Sequence, residues 1–542
     1  MDVRHWLEAL PRSLRQPDPL FWLCAAVLTL SLLLGGGTRG GFLSDLLLPL
    51  FALPLLALGL WRLMETPLTK QAQWALLFCA ALALLPLLQL IPLPPWLWTL
   101  LPNRAELAAP FEAMGGSAPW LPLSVAPEAT WVALLAMVAP LAILIAMLLL
   151  TYEERRWLSL VILGVGTISV FVGLLQVAQG LESSWRFYEF TNPSEAVGFF
   201  ANRNHFAALG YALVLIAAAW AIQAAVSASQ SNSLRHFDTP SIVAALAAFC
   251  LLVVLLAGEA MARSRAGLGL TIVGLFGAFA LGVADRRLGS NLKPRSSRFT
   301  PNKLLLAAIL FGVVLTIQYA LYRILQRFEV DPLADARLSF IPTTLKAAFA
   351  YFPFGSGLGT FVPVYADFER PQDTLLNIYA NHAHNDAAEF FLEAGLLGLV
   401  LMVTFVTWLA WRAFEVWRTP PPPGALEIDW SLARAGTLIV ALILAHSFVD
   451  YPLRTGAMMA IVAFCVALLI EPLVQPAVAP QAASRHRAHR SRKLGVTPAP
   501  AFSTALTVTP PAQKPRPTPE RWGEDVAWPE QWQSDPPAKS RQ

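Results

Sequence analysis

Charge is scarce in this chain. Asp, Glu, Lys and Arg supply 14% of its 542 residues, well below the roughly 25% of soluble domains, which argues against a soluble globular protein. The net charge of +4 carries little information apart from its distribution, and no nucleic-acid partner is expected. Cysteine is scarcer still: Cys24, Cys79, Cys250 and Cys465 stand far apart inside apolar stretches, suggesting neither a disulfide framework nor a zinc site. No internal repeat is visible and charges are rare in mid-run, so a transporter built from repeated halves with broken, charged helices is disfavoured. The glycines do not fall in a dinucleotide or P-loop spacing, and no strand pattern precedes them.

Long apolar runs are what the chain has. Hydrophobic residues make up 56% of it, and mean hydropathy is +0.54. Runs long enough to cross a bilayer recur from Leu20 to about Leu473. The expected fold is all-α, a polytopic membrane protein of about 12 transmembrane helices on a criterion of roughly 20 residues per span. The span cores are 20–36, 45–63, 72–91, 130–150, 157–179, 205–226, 240–258, 267–284, 303–323, 389–411, 433–449 and 455–473. Pro54 and Pro140 predict local kinks in the second and fourth.

Orientation follows from Lys and Arg in short loops. Arg286, Arg287, Lys293, Arg295, Arg298 and Lys303 crowd one connection, which is expected to be cytoplasmic. Parity then puts Arg62/Lys70, Arg155/Arg156, Arg412/Arg418 and both termini on the same side. Residues 1–19 read as a cytoplasmic leader before a retained first helix, 20–473 as the transmembrane domain, and 474–542 as a disordered, basic, Pro-rich cytoplasmic tail. The outer face receives a long loop between spans nine and ten, 324–388, of about 65 residues, too long for a simple connector.

Arginine is unexpectedly present on that outer face. Arg186, Arg203, Arg263, Arg265, Arg337 and Arg454 lie close to span ends. Snorkelling accounts for any one of them; several together argue for a shared anionic ligand, because the guanidinium fork binds phosphate bidentately. Their local sequences are distinctive. Gly198-Phe199-Phe200-Ala201-Asn202-Arg203-Asn204-His205 opens the sixth span, with Asn202 or Asn204 placed to cap it. Ala262-Arg263-Ser264-Arg265-Ala266-Gly267 joins spans seven and eight. Arg337 precedes the glycine-rich Gly355-Ser356-Gly357-Leu358-Gly359-Thr360-Phe361, read as a tight turn of closely approaching backbone. His446-Ser447-Phe448-Val449-Asp450-Tyr451-Pro452-Leu453-Arg454 joins the last two spans, where Asp450 is a ready partner for Arg454.

The most informative stretch is Asn381-His382-Ala383-His384-Asn385-Asp386, running into Glu393-Ala394-Gly395-Leu396-Leu397-Gly398. Asp386-x-x-Glu389 has capping-box form. His384 is a candidate general base; His382-x-His384 with Asp386 is an alternative metal set, disfavoured because no Cys or distant His/Asp pair completes it. Gly395 and Gly398 read as small positions for close helix approach.

His384-Asn385, nine residues, then Gly395-x-x-Gly398, together with the four patterns above, resembles the O-antigen ligase and polymerase superfamily. The resemblance implies an inner-membrane enzyme moving a glycan from an undecaprenyl-diphosphate carrier to an acceptor hydroxyl at the periplasmic face. The acceptor would be lipid A core or a growing polysaccharide. It implies His384, Arg265 and Arg337 as catalytic residues, and Arg203, Arg454, Asn385 and Arg263 as substrate-binding ones. It implies no cofactor, nucleotide sugar or obligatory metal, and membrane lipid as a partner beside these substrates. Exopolysaccharide polymerases, protein O-oligosaccharyltransferases and lipid-linked glycan transporters are the rival readings.

Overall fold

In hydrocarbon each backbone N–H and C=O needs an internal partner, so apolar runs of this length fold as helices. The computed structural model describes residues 18–41, 43–230, 239–288, 332–370 and 380–474. Its helices are α1 (Pro19–Leu34), α2 (Leu43–Glu65), α3 (Lys70–Gln89), α4 (Pro95–Trp98), α5 (Ala105–Ala113), α6 (Pro127–Ala136), α7 (Val138–Leu149), α8 (Tyr152–Gln179), α9 (Arg203–Gln230), α10 (Thr239–Ala262), α11 (Arg265–Leu288), α12 (Pro332–Ala350), α13 (Phe361–Phe368), α14 (Asp386–Arg418), α15 (Glu427–His446) and α16 (Gly456–Leu468). Two short antiparallel strands, Pro92–Leu93 and Leu121–Pro122, pair Pro92 with Pro122.

Among the described residues, eight helical stretches, with α6 and α7 taken together as Pro127–Leu149, are long and apolar enough to cross a membrane, and three shorter apolar helices, Pro19–Leu34, Leu246–Ala262 and Gly456–Leu468, fall on expected spans. The ninth expected span, 303–323, lies outside the described residues, as do residues 1–17 of the leader, most of the basic connection after Arg286, and 475–542 of the tail. The fourth span is broken: α6 ends at Ala136 and α7 begins at Val138. Pro140 has no N–H to give the carbonyl of Ala136, so the helix is weakened there.

The stretch expected as a loop, 324–388, is not irregular throughout. It holds α12 and α13, and Phe340, Ala347, Tyr351, Phe361, Val364 and Tyr365 in and beside them form an apolar cluster with Ala383, just before α14, and with Phe391 and Leu392 of α14. This aromatic content gives the segment a small apolar core.

Contacts sort the connections into two ends. At one, Arg62 pairs with Asp18 at 2.7 Å and Arg156 with Asp429 at 2.7 Å. Buried Arg155 there donates to the carbonyls of Met147, Ala467 and Ile470 at 2.7, 3.0 and 2.6 Å, satisfying helix C-terminal groups that favour a cation. At the other end, Ala201 donates to Gly36 O, Ala457 to Gly35 O, Asp386 to Ser447 O and Ala196 to Met261 O, all backbone to backbone. The described basic loops that parity groups together do share one end, opposite the histidine segment.

Candidate active site

Gly395 shapes the site. It sits within α14 at φ 55°, ψ −138°, breaking the helix there, a conformation open essentially to glycine alone. The break releases the carbonyls of Leu392 and Glu393, which accept instead from Ser356 N and Gly357 N, at 3.0 Å each, while Leu396 N donates to Pro353 O at 2.8 Å. A Cβ on Gly395 would stand 2.2 Å from Pro353 O. The Gly-x-x-Gly element and the glycine-rich turn are therefore two sides of one backbone junction, in which the carbonyls of Leu392 and Glu393 and the N–H of Leu396 find partners. Gln89 completes it, donating to Glu393 O and accepting from Leu358 N at 2.9 Å.

The first turn of α14 faces the 446–454 connection. Asn385 is the N-cap: its Oδ1 accepts from Ala388 N at 2.9 Å and its Nδ2 donates to Phe448 O at 3.1 Å. The Asp386/Glu389 capping box does not form, because both carboxylates have better partners across the chain. Asp386 Oδ2 accepts from Ser447 Oγ at 2.7 Å and Leu453 N at 3.1 Å. Glu389 holds His382 Nδ1 at 2.8 Å and Ala383 N at 2.8 Å.

His384 has Asp450 as its partner, with Nδ1 3.0 Å from Oδ1. Asp450 is fully buried and also accepts from Tyr451 N at 3.0 Å and from Asn204 Nδ2. A carboxylate with three donors is stabilised as the anion despite burial. An ionised carboxylate only accepts, so in that pairing Nδ1 is the donor and Nε2 is the nitrogen left for another partner. The His384 side chain keeps 14% exposure, so the imidazole has an open edge. The backbone of His384 is left-handed, φ 52°, uncommon for a side-chain-bearing residue and a mark of constraint by its surroundings. His382, His384 and Asp386 are not assembled as a metal set: each is drawn to a different partner. Among the described residues no group of three His, Cys, Asp or Glu converges on a common centre.

Arg454 does not pair with Asp450 as its sequence proximity suggested. Its Nη1 lies 2.6 Å from Glu393 Oε2 and 3.5 Å from Glu389 Oε1, and its Nε lies 3.5 Å from Asp386 Oδ1. Burial works against its charge, but the carboxylates of Glu389, Glu393 and Asp386 outweigh that and hold the guanidinium above its ordinary value. The fork is thus committed to three acids spaced along one face of α14.

The other arginines are placed differently. Arg203 opens α9; its Nη1 pairs with buried Glu195 at 2.9 Å and its N–H donates to Asn192 Oδ1 at 2.9 Å. Asn202 caps that helix, accepting from Asn204 N at 2.8 Å, while Asn204 serves Asp450. Arg265 starts α11 and is half-buried, after Ser264, whose Oγ accepts from Gly267 N at 3.0 Å. Arg263, with φ 50°, reverses the chain in that turn. Arg337 belongs to α12, and its side chain lies outside the described residues. Sequence reasoning gave Asp450 to Arg454 and offered Asn204 as a cap, whereas Asp450 meets His384 and Asn204; Tyr451 had no role in that reading, its one signal being its place next to Asp450.

Residues 241–403 match the family described as O-antigen ligase. The match runs from α10 to the middle of α14 and so covers Arg263, Arg265, Arg337, the glycine-rich turn, His384 and Gly395. It bears out the resemblance to the O-antigen ligase and polymerase superfamily. No curated protein matches the chain.

Proposed function

We propose, with residues 241–403 matching the O-antigen ligase family as premise, that this membrane protein transfers a glycan from undecaprenyl diphosphate to an acceptor hydroxyl of lipid A core at the periplasmic face. The observation that carries the reading is the His384–Asp450 pair at 3.0 Å, set beside the family's glycine junction and at the same end of the bundle as Arg203, Arg263 and Arg265. Asp450 orients the ring; Nε2 removes the acceptor proton as the oxygen attacks the anomeric carbon and the glycosyl C–O bond to diphosphate breaks. The leaving diphosphate needs cations, not a proton, and Arg265 and Arg337 are assigned to it because guanidinium charge persists at every relevant pH. Arg263 and Arg203 flank that role, Arg203 by exchanging Glu195 for substrate. Arg454 and Asn385 support it from behind, one neutralising the α14 acids and the other capping the helix.

Deletion of the gene tests acceptor and reaction together. Loss of all long-chain glycan from lipid A core, with lipid-linked glycan accumulating, is the expected outcome. Core carrying a single repeat unit, or missing exopolysaccharide, would instead mark a polymerase. With purified protein, donor and acceptor, EDTA is expected to leave transfer intact; inhibition reversed by a divalent cation would overturn the histidine-base chemistry.

A further inference from the structure

Three histidines from two parts of the chain meet on one side chain, Tyr451. Its buried ring lies 4.3 Å from His382, 4.8 Å from His384 and 4.8 Å from His205, centroid to centroid. His384 and His205 meet it edge to face, at 74° and 85°, the arrangement ring quadrupoles favour. Its hydroxyl is 3.2 Å from Asn381 Nδ2, which also donates to Thr38 O at 3.0 Å. Its own N–H donates to Asp450 Oδ1, the oxygen that receives His384.

We propose that Tyr451 is a positioning residue whose ring fixes the orientation of the His384 imidazole; this rests on the reading of His384 as general base. A single bond to Asp450 still allows coupled small changes of χ1 and χ2, and Nε2 then sweeps an arc. Two rings remove that freedom. Phe340 stacks on His384 at 5.9 Å and 23°, and Tyr451 meets it edge-on. The left-handed backbone of His384 makes such support necessary, because that conformation persists only where neighbours over-determine it. The hydroxyl has a separate task, tying the histidine segment through Asn381 to the 35–41 turn. The ring therefore matters for turnover and the hydroxyl for holding the segment.

The test measures kcat, donor KM and the kcat–pH profile for full-length wild type, Tyr451→Phe, Tyr451→Leu and His384→Ala, purified with lipid-linked donor and acceptor. Tyr451→Phe keeps the ring and is expected to stay within about threefold of wild type with an unchanged profile. Tyr451→Leu keeps apolar bulk without the ring and is expected to lose roughly 10–10²-fold in kcat, the scale of a small misplacement of a reacting group. Its donor KM should be unchanged and the acid limb of its profile displaced, neither of which follows from simple loss of folded protein. Wild-type kcat and profile in Tyr451→Leu overturn the proposal. So does a well-inserted Tyr451→Phe that has lost turnover, and this arm stands even where the leucine variant fails to insert. Full activity of His384→Ala sinks the general-base reading itself; an inactive His384→Ala beside a wild-type-like Tyr451→Leu sinks only the positioning role.

Discussion

His384 and Asp450 stand far apart in sequence, yet the second decides what the first can do. In the proposed chemistry the carboxylate selects the tautomer with Nε2 unprotonated and anchors the ring, so the two are expected to fail together. His384→Ala should lower transfer by roughly 10²–10⁴-fold, the usual contribution of a positioned base, while donor binding persists. Asp450→Asn should fall in the same range, since an amide cannot reproduce the anion that fixes Nδ1–H; wild-type turnover in this variant would break the link between them. His382→Ala should be milder, because His382 serves Glu389 at 2.8 Å. For the diphosphate, Arg265→Ala should abolish transfer without preventing insertion, and Arg265→Lys should recover little because an ammonium lacks the planar fork. Near-complete rescue by Lys would show that a plain positive charge suffices. His384 was legible from its motif spacing. Its partner was not, because Asp450 had a nearer arginine in Arg454 and only the folded chain turns that arginine toward α14.

At the scale of elements, the junction of α14 with the glycine-rich turn carries the site. Gly395→Ala adds a Cβ 2.2 Å from Pro353 O at a backbone angle hostile to side chains. The expected cost is at least about 1–3 kcal/mol, read as a lowered thermal midpoint in detergent with transfer reduced in parallel. The Arg454 cluster is the second element-level device. Asp386, Glu389 and Glu393 recur along one face of α14 because residues three and four apart neighbour each other on a helix, and one guanidinium balances them. Arg454→Gln leaves those buried acids without their cation, at a cost of roughly 3–5 kcal/mol. Its signature should be poor insertion or thermal instability. Normal stability with selective loss of donor affinity would return Arg454 to direct diphosphate binding. Sequence reading placed these residues in motifs but took Gly395 for a packing position and the carboxylates for a helix cap. Both are local interpretations, and the actual partners come from connections far along the chain.

Across the whole molecule, the expectation of about twelve spans makes a direct prediction. A reporter fused after Ser290 should read cytoplasmic and one inserted near Asp373 periplasmic; both on one side would remove the odd-numbered crossing between them and, with it, the proposed outward-facing site. Truncation after Pro480 should leave transfer largely intact, because residues beyond it lack the apolar periodicity to pack against helices. Sequence alone determined the class of protein, the positions of most spans and the grouping of basic loops at one end. Those follow from hydropathy and charge, which the bilayer reads residue by residue. Tertiary structure alone decided that α12 and α13 fold within the expected loop, that Gly395 opens α14 to receive the glycine-rich turn, and that His384 faces Asp450 while Arg454 faces three acids. These depend on which groups the fold brings together from separate stretches of the chain, as with His384 and Asp450. A buried donor or acceptor is settled by the partner that the packing brings within about 3 Å, not by its neighbours along the chain.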